Sequence, residues 1–174
     1  MSLTVAHVLN LDLLRQADAE VVAGAGQLSR TVRWVHISEQ PDVARYLKGG
    51  ELLLTTGMGL GTNEALQVRY VAELDKAGIA GLITRLGGAW KTAPAGLTAE
   101  AERRGLPLIV LHRRIGFIEL TEHIHGAIIN RQFELLQKAE SIGRSFTELV
   151  TRGADLSQIL NQLARIVRNP VVLE

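Results

Sequence analysis

Three short aliphatic runs, ELLL at 51–54, IAGLIT at 79–84 and LPLIVL at 106–111, are separated by stretches of helical spacing, and this alternation constrains the fold more than any other feature. Short apolar runs bounded by glycine or proline read as strands covered on both faces, the condition of a parallel sheet. Between the first two runs Leu66, Tyr70, Leu74 and Ala77 recur at helical intervals, and Gly78 closes the helix. Between the second and third, GLTAEAERRG supplies another helix. Strands alternating with helices of this length form βαβ units with right-handed crossovers. The expectation is an α/β fold: a mostly parallel sheet flanked by helices, followed by a long C-terminal connector helix.

The flanking segments are less regular. Thr4 is placed to cap a short helix through VAHVLN, and AEVVAGAG reads as a brief strand stopped by Gly24 and Gly26. TVRWVHIS alternates as a strand with a mixed face, and DVARYL restarts the chain as a short helix. From Phe117 no glycine or proline punctuation appears before Gly126, and none that breaks the helical pattern before Gly143, so one long helix or two abutting ones are expected. Ile128, Leu135, Ile142 and Leu149 stand seven apart, with Gln132, Ala139 and Phe146 interleaved. A stripe so mixed suits an amphipathic connector or a weak dimer seam. Asp155 caps a further amphipathic helix, LSQILNQLARIV, and NPVVLE then opens a strand whose sheet is not in the chain. The expected organisation is an α/β domain over 1–116, a signalling or dimerisation helix over 117–152 and the beginning of another domain over 153–174.

Composition excludes several classes. Apolar residues make up 47% of the chain and aromatics only 4%, so the core must be aliphatic. With a formal charge of +1 and only Arg103-Arg104 and Arg113-Arg114 as tight basic pairs, the chain lacks the footprint of a nucleic-acid binder. There is no cysteine, and no apolar run approaches the ~18 residues of a membrane span. These features lead us to expect a cytoplasmic protein.

The segment VRWVHISEQPDVARYLKGGELLLTTG at 32–57 resembles the signature of the purine-catabolism-regulator (PucR-type) N-terminal domain. The family pattern of a tryptophan-valine-histidine strand, a Ser-Glu-x-x-Asp turn and a Gly-Gly-Glu-Leu-Leu-Leu-Thr-Thr-Gly strand is matched by Trp34, Val35, His36, Ser38, Glu39, Asp42, Gly49, Gly50, Glu51, Thr55, Thr56 and Gly57. The resemblance continues through GIAGLITRLG and RRGLPLIVLH to GFIELTEHIHGAII. It implies a signal-input domain of a bacterial transcription regulator that senses a metabolite effector, a purine-breakdown intermediate or another nitrogen compound. It further implies a homodimer, a GAF-like middle region opening at 153–174, and DNA binding only through a C-terminal domain outside this chain.

Candidate site residues lie at the strand ends. Thr55, Thr56 and Gly57 lead into GMGLGT, where free backbone N–H groups and a helix N-terminus would face an anionic group. The alternative is a plain turn whose glycines supply positive φ and whose threonines cap the helix. Arg85, at the end of its strand, would suit a carboxylate, ureido or imide-like acceptor, or is a solvated charge. His36, Ser38 and Glu39 would form a polar pocket wall with Glu51, or His36 pairs structurally with Glu39 or Glu51. Glu51 lies at the amino end of its strand and is expected to be structural, bonded to backbone amides or a neighbouring polar group.

No cofactor is expected: the GMGLGT loop lacks the Gly-Lys-Ser/Thr of a P-loop, and the dinucleotide fingerprint has Thr62 near its last glycine position. His123 and His125 diverge by about 200° on a helix, too far for one metal, and read as surface or interface groups. No nucleophile elbow or spaced triad supports an enzyme. The rival to a sensor is a dimerisation or docking module with no ligand of its own.

Overall fold

In the computed structural model, residues 2–87, 90–167, 169 and 171 are described. The chain runs through α1 (Val5–Leu9), α2 (Asp12–Gln16), β1 (Ala19–Ala23), β2 (Trp34–Ile37), β3 (Glu51–Thr55), α3 (Glu64–Lys76), β4 (Gly81–Arg85), α4 (Ala95–Arg104), β5 (Leu108–Leu111), α5 (Phe117–Thr151) and α6 (Leu156–Val167). The five strands form one sheet in the order β1-β5-β4-β3-β2. β2, β3, β4 and β5 are mutually parallel, and β1 joins β5 antiparallel. This is the expected α/β fold with one strand reversed.

The aliphatic runs explain the layering. Leu52, Leu54, Ile83 and Ile109 face one layer, where Val5, Leu14, Leu120, Ile124 and Ile128 pack on them. Leu53, Leu82 and Leu108 alternate to the other face, beneath Tyr70, Val71 and Leu74 of α3 and Leu97 of α4. Every residue of β3 and β5 is buried, as strands covered on both sides require.

Several local expectations hold in detail. Thr4 caps α1, accepting from His7 N, and Asp155 caps α6, its Oδ1 accepting from Gln158 N. Gly78 follows the C-cap of α3 in the left-handed conformation at φ 72°. Others need correction. DVARYL gives only a short 3-10 turn over Val43–Tyr46. α3 starts at Glu64 with Asn63 as its cap, so Thr55 and Thr56 do not cap it. Arg103 and Arg104, already too few for a nucleic-acid footprint, both bond Glu100. Hydrogen bonds from Arg103 and then Arg104 hold the Glu100 carboxyl down at about 2. The expected NPVVLE strand falls almost wholly outside the described residues.

The chain divides into two compact units, 1–129 and 130–174, with the division inside α5. In the first unit Leu120, Ile124 and Ile128 seat the start of α5 in the core. Ile128, the first of the four heptad positions, is therefore committed to that core at 5% exposure. In the second unit Phe133, Leu135 and Leu136 are exposed along the helix. Among the described residues, no helix is long and apolar enough to cross a membrane.

Candidate functional site

Because β2, β3 and β4 run in parallel, Ile37, Thr55 and Arg85 end on the same edge of the sheet, where α/β proteins commonly bind ligands. Immediately after β2 the Gln40 amide donates to Ser38 Oγ (3.1 Å), a local turn that brackets Glu39. The Glu39 carboxylate reaches the end of β3. Its Oε1 accepts from Thr56 N (2.7 Å), and its Oε2 accepts from Thr55 Oγ1 (3.0 Å) and Met58 N (3.2 Å). The Gly57 amide donates to Thr55 Oγ1 (3.1 Å). The amides that the sequence offers to an external anion are thus engaged by the protein's own carboxylate and a threonine hydroxyl.

Two glycines of this loop, Gly57 and Gly59, permit close approach. Gly57 has φ +77°, and a Cβ on it would lie 2.4 Å from the Trp90 ring. A Cβ on Gly59 would lie 1.9 Å from the Glu39 carbonyl oxygen. Trp90 is 3% exposed, its Nε1 donates to Gly61 O (2.8 Å), and its carbonyl accepts from Gly87 N (2.7 Å). One indole therefore ties the loop after β3 to the loop after β4. Tyr70 lies buried nearby, its phenol pushed well above the usual range by burial first and by the charge of Glu39 second.

Between these loops lies a cleft of about 340 Å³, at the small end of ligand pockets. Glu39, Thr56 and Arg85 line it, joined by Met58, Leu86, Gly87 and Arg114. Thr56 Oγ1 is buried without a hydrogen-bond partner among the described residues. Arg85 Nη1 donates to Ile115 O at 3.4 Å, and its guanidinium lies 5.5 Å from the centroid of Phe117, the first residue of α5. An Arg at this range attracts the ring face.

Three of the seven candidate residues, Glu39, Thr56 and Arg85, thus meet in one cleft. Ser38, Thr55 and Gly57 shape it from behind: Ser38 and Thr55 through the bonds above, Gly57 through its contact with Trp90. His36 lies on β2 opposite Leu53 and is not in the cleft lining. Neither proposed partner pairs with it. Glu51 Oε1 accepts instead from Lys48 N (2.8 Å), while Glu39 is occupied as described.

Trp90, Met58 and Arg114 were not singled out as site residues by sequence. The one available signal was Trp90, one of two tryptophans in a chain poor in aromatics, standing two residues after a Gly-Gly pair. His125 also has a role that helix geometry did not suggest. Its Nε2 accepts from Val35 N (3.2 Å) on the open edge of β2, and its ring sits 4.1 Å from that of Trp34. It covers a backbone donor that an edge strand would leave free. Among the described residues, no cluster of histidines and carboxylates could hold a metal ion.

The purine catabolism regulatory protein-like family matches residues 7–128, and the chain belongs to that family. It is 26% identical to the transcriptional activator PmfR of Paenarthrobacter nicotinovorans over 168 residues, 97% of this chain and 35% of that protein. It is 25% identical to the purine catabolism regulatory protein of Bacillus subtilis over 156 residues, 90% of this chain and 29% of that protein. The chain therefore spans about a third of the length of these relatives. Among solved structures, the CBS and DRTGG regulatory region of Clostridium perfringens pyrophosphatase, complexed with the activator diadenosine tetraphosphate, aligns at 15% identity with a TM-score of 0.42, covering 64% of this chain and 44% of that one. That likeness is too slight to bear on the site.

Proposed function

We propose that this chain is the small-molecule-sensing input segment of a bacterial transcription regulator, with its effector held in the cleft at the ends of β3 and β4. The observation that carries the reading is the convergence of Glu39, Thr56 and Arg85 on one small cleft, with the Arg85 guanidinium 5.5 Å from the ring of Phe117, the first residue of α5. Support comes also from the family and from two relatives named as a transcriptional activator and a purine catabolism regulator. The effector is then a purine-breakdown intermediate or a related nitrogen compound. The organisation in this reading is a sensor over 1–116, a signalling helix over 117–152 and the start of a GAF-like domain over 153–174.

In the same reading the protein is cytoplasmic, has no enzymatic activity or cofactor, and contacts DNA only through a domain beyond this segment. Two copies pair along α5, where Leu135, Ile142 and Leu149 continue the heptad past Ile128. Ligand binding shifts a two-state relation between the α/β domain and that helix, which requires different affinities for the two states.

Thermal unfolding against a panel of nitrogen-rich metabolites and small acids tests the sensor. A ligand at about 100 times its dissociation constant adds ~2.7 kcal/mol, or roughly 5–11 °C for a chain of this size. The expected result is a shift of that size for one compound, largely abolished in Arg85→Ala. No shift across a broad panel would favour the alternative, a docking module without a ligand of its own. The exposed Phe133, Leu135 and Leu136 are the features that such a module would use.

A further inference from the structure

We propose that the cleft takes a small molecule carrying a carboxylate and an N–H donor, and that the carboxylate signals by drawing Arg85 away from the start of α5. The inference rests on the sensor reading above and deepens it. Arg85 and Arg114 place two permanent cations in the lining, against the single carboxylate of Glu39. The wall is therefore net positive and matches a monoanion. Glu39 already accepts three hydrogen bonds, leaving one of its roughly four acceptor positions for a ligand N–H. Met58 and Leu86 add a short apolar stretch, and about 340 Å³ suits a small metabolite better than a dinucleotide.

The signalling step follows from where Arg85 is now spent. Among the described residues, one long bond, 3.4 Å to Ile115 O, and the Phe117 ring engage a guanidinium with five donors. A carboxylate offers it a bidentate, charge-assisted pair, roughly twice as strong as a bond to a neutral carbonyl. Ile115 and Phe117 flank Gly116, whose carbonyl accepts the Leu120 amide in the first turn of α5. Losing Arg85 loosens that turn. By reciprocity, whatever weakens the hold of Phe117 on Arg85 strengthens ligand binding.

The probes are N-acetylglycine and succinamate, each compared with its uncharged amide, and inorganic phosphate, applied to this chain and followed by unfolding midpoint and amide exchange. The carboxylates are expected to raise the midpoint, and the amides and phosphate are not. Exchange at Leu120 and Thr121 is expected to quicken about threefold on binding, the effect of losing one weak hydrogen bond. Phe117→Leu, which leaves both arginines in place, is expected to bind the carboxylates roughly threefold more tightly. Binding with unchanged exchange, unchanged affinity in Phe117→Leu, or equal binding of an amide or phosphate overturns this inference and leaves the sensor standing. No binding by any metabolite or probe overturns both.

Discussion

Replacing Gly57 by alanine is expected to lower stability by about 2–5 kcal/mol, the sum of a left-handed backbone cost and an overpacked contact. The two causes can be separated within one loop. At Gly57 φ is +77° and the new Cβ would meet the Trp90 ring at 2.4 Å, whereas at Gly61 φ is +52° and nothing lies within 4 Å. Gly61→Ala should therefore cost only the backbone share, about 1–2 kcal/mol. Denaturant unfolding of the two variants measures the difference. Trp90→Leu in the Gly57→Ala background should recover part of it, giving a non-additive pair. Equal losses at Gly57 and Gly61 would mean that the indole does not set the shape of the loop.

Glu39→Ala is expected to cost about 3 kcal/mol, because it strips the acceptor from the Thr55 hydroxyl and from the Thr56 and Met58 amides at once. Bonds to a charged acceptor contribute about 1.5–3 kcal/mol each, and the more exposed Met58 amide recovers water, so the loss falls well short of the sum. Glu39→Gln keeps an acceptor oxygen but loses the charge and one set of lone pairs, and should cost roughly half as much. Chemical denaturation gives the totals, and amide exchange gives the location. Protection should fall first at Thr56 and Met58, with the β3 interior little changed. A stability change of a few tenths of a kcal/mol for Glu39→Ala would show that the loop is held by Trp90 alone.

The parallel sheet was legible because ELLL, GLIT and LIVL each set aliphatic residues side by side with no polar residue between them, the pattern of a strand covered on both faces. The direction of β1 was not legible. Its run AEVVA has one polar residue and carries no signal of orientation, so tertiary docking beside β5 decides it. The second helix escaped notice for a local reason: it is five residues long and its N-cap, Leu11, makes no side-chain hydrogen bond. Such a helix carries no start signal and is held by burial of Leu13 and Leu14.

At the site, Thr56 and Arg85 were legible because strand ends in a parallel sheet define the crevice. The function of Glu39 was not. Its carboxylate could face solvent, His36 or the Thr55–Met58 loop, and only the crossing of two loops selects the last. Arg114 and Trp90 were hidden for the same reason, since they come from loops distant in sequence from Glu39. The amides of Thr56 and Met58 show the physics most plainly: an anion-binding arrangement was readable, and the anion is the chain's own.

The central claim is that an effector sits between Glu39, Thr56 and Arg85, and amide chemical-shift mapping of this chain with the best compound from the metabolite panel tests it most directly. The account predicts that the largest perturbations fall on Thr56, Met58, Leu86, Gly87 and residues 114–118, with Trp34, His36 and Glu51 nearly unmoved. Perturbations centred elsewhere, or confined to α5 beyond Ile129, would contradict it.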